Sequence, residues 1–297
     1  MRHRSDIDAF EESRPVLLGL AYRILGSRAD AEDAVQDTFI KWQAADKAEI
    51  ATPAAWLTTA CTRRCIDLLR AAHRARVDYV GPWLPEPVHT PAEEMPAEKA
   101  ALTSSLTTAF LLLLERLTPK ERAAYLLHEI FEIDYADIAR TLDMQESACR
   151  KLVSRARANI DQARVRHVTP RDRQNQLLAA FEAAIISGHT EPFAALLSDE
   201  IELAADGGGK VPAALEVLRG KARVLGFVMQ VLHRNWNGFD WTVTDINGAR
   251  GVMVRKDGVT IASVSFAYDE SGSATGIYIM RNPDKLAALS EASPSIV

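Results

Sequence analysis

The side chains best placed to do chemistry in this sequence form two basic runs that suit binding to a polyanion. The stretch from Arg63 to Arg76 holds five arginines and one aspartate, and that from Arg150 to Arg173 holds eight basic residues and two aspartates. Residues 77–98 between them carry five acidic residues and no lysine or arginine. Two basic stripes separated by an acidic connector predict two contacts on one nucleic acid. Two solvated helix faces would give the same pattern, and composition alone does not separate these readings.

Composition sets the class of protein. A chain of 297 residues with 47% hydrophobic and 25% charged residues is long enough for about two or three soluble domains. The net charge of −5 excludes a uniformly basic surface. No apolar run approaches the ~18 residues of a membrane span, and the first ten residues lack the apolar core of a signal peptide. A cytoplasmic protein without a membrane contact is expected.

The three cysteines, Cys61, Cys65 and Cys149, are too few for a disulfide framework. A zinc site needs about four ligands, and no histidine lies at a suitable spacing from Cys61 and Cys65. We therefore expect buried core cysteines, no metal and no cofactor.

The helical elements that position the first basic run are marked by their caps. Ser27 is the expected N-cap of a helix whose apolar face runs from Ala31 to Trp42. The opposite face of this helix carries an acidic stripe, formed by Asp30, Asp33 and Asp37. Thr52-Pro53 opens the next helix, which is basic in its C-terminal half. Five prolines in residues 77–98 then predict an extended linker, and a helix is expected from Lys99 to about Arg116.

The second basic run lies on the last of three short helices. Thr118 to Glu121 reads as a capping box with proline at the first helical position. Asp134 is the expected N-cap of the next helix, and a basic helix begins near Glu146 after a turn at Asp143. Two helices joined by about three residues, the second one basic, predict a helix-turn-helix.

After Pro170 the pattern changes. One amphipathic helix runs from Leu177 to Ile185, and five strand-like segments follow, two of them joined by a tight turn at Asp257-Gly258. The order predicts a separate α+β domain with an antiparallel sheet.

These segments resemble a known family. Residues 10–76, with DAEDAVQDTF and AWLTTACTRRCIDLLR, resemble region 2 of extracytoplasmic-function sigma factors of the sigma-70 family. Residues 118–160, with LTPKER, YADIARTL and SRAR, resemble region 4. WLPEP, DGGGK and NPDKL resemble the subgroup that carries a fused C-terminal SnoaL-like domain. The expected fold class is multidomain: two all-α domains followed by an α+β, NTF2-like cone.

The resemblance implies a domain order and a function. Region 2 is expected at residues 6–76, the acidic linker at 77–98, region 4 at 99–166 and the SnoaL-like domain at 172–290. The protein would direct core RNA polymerase to promoter −10 and −35 elements. A one-component DNA-binding regulator that senses a small ligand in its last domain is the alternative.

The resemblance also implies site residues. Promoter DNA would be contacted by Arg63, Arg64, Arg70, Arg74, Arg76, Glu146, Ser147, Arg150, Lys151, Arg155 and Arg157. Polymerase would be contacted by Asp30, Asp33, Gln36 and Asp37. Intramolecular regulatory contacts would be made by Trp83, Leu84, Pro85, Asp206, Gly207, Gly208, Gly209, Lys210, Asn282, Pro283, Asp284, Lys285 and Leu286.

The linker and the last domain leave alternatives open. The linker would thread toward the polymerase RNA channel, dock through Trp83-Leu84-Pro85 on the last domain, or remain a solvated tether. Asp206, His233, Trp236 and Tyr278 would be the acid–base candidates if that domain were catalytic. No spacing brings them to one site, so no enzyme activity is expected. The GGGK segment lacks the spacing of a phosphate loop.

Overall fold

A computed structural model of the chain describes residues 6–75, 78–90, 102, 104–161 and 169–290. These residues form two compact units. The first unit comprises the described residues of 1–77 and 113–163, and the second those of 78–112 and 164–295. No helix in the described part of the chain is long and apolar enough to cross a membrane.

The first unit is built from helices whose ends follow the predicted caps. The Ser27 hydroxyl accepts the Asp30 amide, Thr118 and Glu121 form the reciprocal capping box, and the Asp134 carboxylate accepts the Asp137 amide. Asp143 ends the shorter helix of the helix-turn-helix with a left-handed φ of 51°. The helices are α1 (Asp6–Leu25), α2 (Arg28–Ala44), α3 (Pro53–Ala75), α4 (Thr108–Leu114), α5 (Pro119–Glu129), α6 (Tyr135–Leu142) and α7 (Glu146–Asp161). The boundary between the two units falls within α4, after Leu112.

The helix predicted from Lys99 to Arg116 is interrupted. Leu102 and Ser104 are helical, residues 105–107 form a turn, and a second helical segment runs from Thr108 to Leu114. The Ser105 and Thr107 hydroxyls donate to the carbonyls of Leu102 and Ser104, and Thr107 Oγ1 accepts the Phe110 amide. These local side-chain bonds compete with helical ones and restart the helix after the turn.

The three cysteines are buried, as the sequence predicted. Burial raises the pKa of the Cys65 and Cys149 thiols above the ordinary value. A raised pKa keeps a thiol protonated and unreactive, so these side chains act as packing groups.

The second unit contains a six-stranded sheet in the order β2-β1-β6-β5-β4-β3. Its elements are α8 (Arg171–Ser187), α9 (Glu191–Ala194), β1 (Leu197–Asp206), β2 (Leu218–Arg219), α10 (Lys221–Phe227), a π-helical turn (Val228–Leu232), α11 (His233–Trp236), β3 (Asp240–Ile246), β4 (Ala249–Lys256), β5 (Val259–Tyr268), β6 (Ala274–Met280) and α12 (Pro283–Ser290).

The expectation of a wholly antiparallel sheet is wrong in one place. Strands β3 to β6 form an antiparallel meander, and the predicted turn at Asp257-Gly258 has both φ angles positive, at 51° and 78°. However, β1 pairs with β6 in parallel. Strand β2, helices α10 and α11 and strands β3 to β5 lie between β1 and β6 in the sequence. A connection of that length allows the parallel pairing that a short hairpin forbids.

Two apolar clusters lie in this unit. The larger packs α8, α10 and α11 against the sheet, with Phe181 contacting the rings of Phe193, Trp241 and Phe266. The smaller includes Ile246, Met280, Leu286 and Leu84, a residue of the proline-rich linker. This arrangement of helices packed on a sheet is the separate α+β domain that the sequence predicted.

Candidate functional site

Helix α7 presents a polar, basic face to solvent. Cys149, Leu152 and Val153 pack inward, as expected for one side of an amphipathic helix. Ser147 and Lys151 are exposed on the opposite side. An exposed polar face on the second helix of a helix-turn-helix is what a recognition helix requires to enter a major groove.

The charged side chains of α7 already have intramolecular partners. Arg150 pairs with Glu146 and lies over the Tyr135 ring, with its guanidinium carbon 4.4 Å from the ring centroid. Arg155 reaches Glu121 of α5 at 3.5 Å, and Arg157 pairs with Glu129. Lys151 has no hydrogen bond or ion pair within the described part of the chain, so its ammonium is the cation of this face most available to a phosphate.

Helix α3 places its arginines in three different environments. Arg63 donates to the carbonyls of Thr141 and Arg140 at 2.8 and 2.9 Å, which are the last turn of α6. Arg64 forms a 2.7 Å ion pair with Asp37, and Arg70 makes an exposed pair with Asp67. The Arg74 backbone lies in α3, and Arg76 lies outside the described residues.

The acidic stripe lies on α2, where the sequence placed it. Asp33 and Gln36 are exposed, and Asp30 and Asp37 are partly buried. The Arg64–Asp37 pair joins a predicted DNA contact to a predicted polymerase contact, which the sequence did not indicate.

Further contacts join the first three helices to the helix-turn-helix. Arg122 of α5 is buried and donates to the Ile24 carbonyl at the end of α1 at 2.8 Å and to Glu115 at 2.8 Å. The hydroxyls of Thr59 and Thr141 lie 3.0 Å apart. The Arg63 bonds belong to the same interface, so helices α1 to α3 and the helix-turn-helix pack together in the first unit.

The second unit contains a buried polar cluster, here called the Asp206 cluster, formed by Tyr79, Leu84, Asp206, Asn282 and Lys285. The Asp206 carboxylate is fully buried and accepts from the Tyr79 hydroxyl at 2.6 Å, the Leu84 amide at 2.9 Å and Lys285 at 2.7 Å. Lys285 also donates to the Leu84 carbonyl at 2.7 Å. The cluster therefore ties three parts of the chain together: the linker, the end of β1 and the start of α12.

Tyr79 of this cluster has a shifted pKa. Burial and the Asp206 carboxylate raise the pKa of the Tyr79 phenol well above its ordinary value. The phenol thus remains a hydrogen-bond donor to Asp206. Asn282 Nδ2 donates in turn to the Tyr79 oxygen at 3.1 Å.

The predicted regulatory residues around the cluster take distinct roles. Trp83 stacks on the Lys285 ammonium, 4.4 Å from its ring centroid. Gly208 has φ +61°, and an added Cβ would lie 2.3 Å from Asn282 Nδ2, so the site needs glycine. Lys210 pairs with Asp284 on the surface, with both side chains more than half exposed.

The linker continues along the domain beyond the cluster. The Val88 amide donates to Asn247 Oδ1 at 3.2 Å, and its carbonyl accepts the Asn247 amide at 2.9 Å. Thr90 Oγ1 accepts the Gly248 amide at 2.9 Å. The sequence analysis predicted neither a linker contact at Tyr79 nor one at this Asn247-Gly248 turn. An aromatic residue at the edge of the proline-rich segment and an Asn-Gly pair were the available signals.

The acid–base candidates do not converge. Asp206 is occupied by the linker, and the His233 ring nitrogen Nδ1 bonds to the Ile185 carbonyl at 2.5 Å. Trp236 packs in the larger apolar cluster, while Tyr278 packs against the smaller one.

The fold and these surfaces define a class of protein: a DNA-binding factor whose two helical DNA-binding halves are joined through a linker held by an α+β domain. The Sigma-70 region 2 family model matches residues 9–75, and the Sigma-70 region 4 model matches residues 107–160.

Comparison with known proteins narrows the class. The chain is similar to ECF RNA polymerase sigma factor SigJ of Mycobacterium tuberculosis, with 30% identity over 94% of this chain and 93% of the relative. It is 35% identical to the probable ECF sigma factor SigI of the same organism over 53% of this chain and 54% of the relative. The crystal structure of SigJ matches with a TM-score of 0.75 over 95% of this chain and 98% of that one. The chain belongs to the extracytoplasmic-function RNA polymerase sigma factors.

Proposed function

We propose that the C-terminal domain of this sigma factor regulates promoter-specific initiation from within the chain, by holding the linker between regions 2 and 4. The observation that carries the proposal is the buried Asp206–Lys285 pair, which closes around the backbone of Leu84. A docked linker has fewer conformations than a free one, so docking restricts the separations that the two DNA-binding halves can adopt.

Separation of the halves is required for promoter binding. Elements centred near −10 and −35 lie on the order of 80 Å apart along B-form DNA, at about 3.4 Å per base pair. In this structure Arg63 and Thr59 of α3 hydrogen-bond to the end of α6. We infer that this packed arrangement is a resting state and that core polymerase separates the two halves.

The surfaces freed by separation suit their expected partners. Arg63 would gain a phosphate in place of two carbonyls, and Lys151 with Ser147 would reach the −35 element in the major groove. The exposed Asp33 carboxylate has the sign of charge to dock on a basic polymerase surface, and the exposed Gln36 amide beside it adds hydrogen-bonding capacity.

We further infer that the C-terminal domain is not catalytic. Its buried carboxylate accepts from the Tyr79 hydroxyl, the Leu84 amide and the Lys285 ammonium, and the His233 ring bonds to a backbone carbonyl. A general base must be within reach of a substrate proton, and neither group is free for that role.

A reversible cross-link tests the resting state. Thr59→Cys with Thr141→Cys replaces two hydroxyls that are 3.0 Å apart, close enough for a disulfide. Oxidised double variant should lose promoter-specific transcription with core polymerase, and reductant should restore it. Each single variant is the matched control. Full transcription by the oxidised, cross-linked protein would show that the halves need not separate.

A charge substitution tests regulation by the linker. Lys285→Met removes the buried ammonium, whereas Lys210→Met removes an exposed one from the same face of the domain. Transcript yield with core polymerase should change in the first variant and stay at the wild-type level in the second. Equal yields from both would remove the regulatory role of the Asp206 cluster.

A further inference from the structure

The C-terminal domain contains a cavity of about 560 Å³ that opens to the surface. Buried Leu232, Trp236 and Ile279 line it together with the partly buried rings of Phe227 and Phe239. Small-molecule sites in proteins commonly span about 300 to 1,000 Å³ and have mostly apolar walls. The cavity therefore has the size and lining of a ligand site.

The helix that forms one wall is irregular at the cavity. Residues Val228–Leu232 make a π-helical turn between two α-helical segments, and Val231 and Leu232 from this turn line the cavity. A π-turn is rarer and less stable than a continuous α-helix and recurs at functional sites. Its position supports binding as the use of the cavity.

The charged groups lining the cavity are both cationic. Arg281 donates through one terminal nitrogen to the Pro212 carbonyl, while its Nε is buried with no hydrogen-bond partner among the described residues. Burial lowers the pKa of this guanidinium. Lys256 lies at the exposed rim over the Phe239 ring. No carboxylate or histidine is among the described lining residues, so neither cation is neutralised within the cavity.

We propose that this cavity binds a small amphipathic organic anion. The carboxylate or sulfonate of such a ligand accepts from the Arg281 guanidinium once this side chain turns toward the ligand and exposes its unpartnered Nε–H, with Lys256 adding charge at the mouth. Its apolar body, a ring system or a short acyl chain, lies against Trp236 and Phe227. A buried N–H donor without a partner is costly, and a charge-assisted hydrogen bond removes that cost.

The cavity lies directly behind the Asp206 cluster. Two of its lining residues, Ala205 and Arg281, immediately precede the cluster residues Asp206 and Asn282. The amides of Arg281 and Asn282 both donate to the Asp206 carbonyl, at 2.7 and 2.8 Å. A ligand that repositions Arg281 thus acts on the backbone that holds the cluster. This coupling rests on the proposed regulatory function, whereas the binding itself does not.

A matched pair of fluorescent probes tests the proposal on the full chain. 8-Anilinonaphthalene-1-sulfonate carries an anionic group, and N-phenyl-1-naphthylamine has the same ring system without it. The sulfonate should bind with one-to-one stoichiometry and about tenfold more tightly than the neutral probe. Arg281→Met should weaken the sulfonate by about tenfold and change the neutral probe less than twofold.

Two further variants test whether the probes bind in this cavity. Val231→Trp places a large side chain at the exposed mouth of the cavity and should block both probes. Arg234→Met removes an exposed cation from the same helix outside the cavity and should leave both affinities unchanged. An unaltered thermal midpoint shows that each variant is folded. The proposal is overturned if the sulfonate does not saturate at one site, if Arg281→Met leaves its affinity unchanged, or if the neutral probe binds equally well. None of these results bears on transcription, so the regulatory proposal stands or falls separately.

Discussion

Replacing Asp206 by asparagine should release the linker while leaving the domain folded. The carboxylate is fully buried and neutralises Lys285, which is itself 15% exposed. Removing one partner of a buried ion pair costs about 3 to 5 kcal/mol. We expect Asp206→Asn to destabilise the docked linker by about 3 kcal/mol, the lower end of this range. The cost is at the lower end because asparagine keeps an acceptor oxygen and Lys285 keeps its hydrogen bond to the Leu84 carbonyl. When the linker undocks, water hydrates the Lys285 ammonium and removes this cost. The substitution therefore favours local opening of the linker over unfolding of the domain.

Hydrogen exchange measures this opening. The Leu84 amide donates to Asp206, and about 3 kcal/mol corresponds to roughly a hundredfold faster exchange of that amide. Amides of the β5 core, such as Val264, should exchange as in the wild type. Lys210→Met is the matched control, because its exposed pair with Asp284 is worth less than about 1 kcal/mol. Leu84 exchange within about threefold of wild type in Asp206→Asn would refute the reasoning.

Three further predictions follow from the same contacts. Gly208→Ala places a side chain at a left-handed φ and against Asn282, and it should destabilise linker docking by about 2 kcal/mol. The expected result is faster hydrogen exchange of the Leu84 amide in a protein whose far-ultraviolet spectrum is unchanged. Unchanged exchange at Leu84 would contradict the overlap with Asn282. The docked linker keeps a proton on Tyr79 that the free linker loses as pH rises through about 10, so docking should weaken above that pH. Tyr79→Phe should remove that part of the pH dependence and a late-titrating phenol in an ultraviolet titration, and a phenol spectrum identical to wild type would count against it. Lys151→Ala should lower the salt slope of −35 duplex binding by polymerase holoenzyme by about one, with Lys256→Ala as an unaffected control, and an unchanged slope would remove Lys151 from the phosphate contacts.

Much of the fold was predictable because it depends on short-range signals. Helix starts at Ser27, Thr118 and Asp134 depend on a side chain that caps its own helix. The hairpin at Asp257-Gly258 depends on two residues that tolerate positive φ. These features need no knowledge of distant contacts.

The features that the sequence did not give are long-range. The parallel pairing of β1 with β6 and the Tyr79–Asp206 bond join residues that are far apart in the chain. The break before Thr108 was missed because three competing hydroxyl bonds outweigh a good helical pattern. The motif residues Asp206 and Lys285 were identified only through family resemblance, and their common target, the Leu84 backbone, was visible only in the structure.

The predicted site residues also differ in how they can be tested. Lys210 and Asp284 are among the expected regulatory contacts, but both are exposed and their pair is weak in water. Asp206 and Lys285 carry the buried charge and are the more decisive targets. Burial, which the sequence does not report for single polar residues, determines which motif position matters energetically.

Reconstituted transcription from the promoter upstream of this protein's own gene tests the central claim most directly. Full-length protein is combined with bacterial core polymerase, and each component is also assayed alone. We predict a transcript from a defined start that requires both components. No transcript from the mixture, together with tight and specific duplex binding by the protein alone, would contradict the account and favour a one-component regulator.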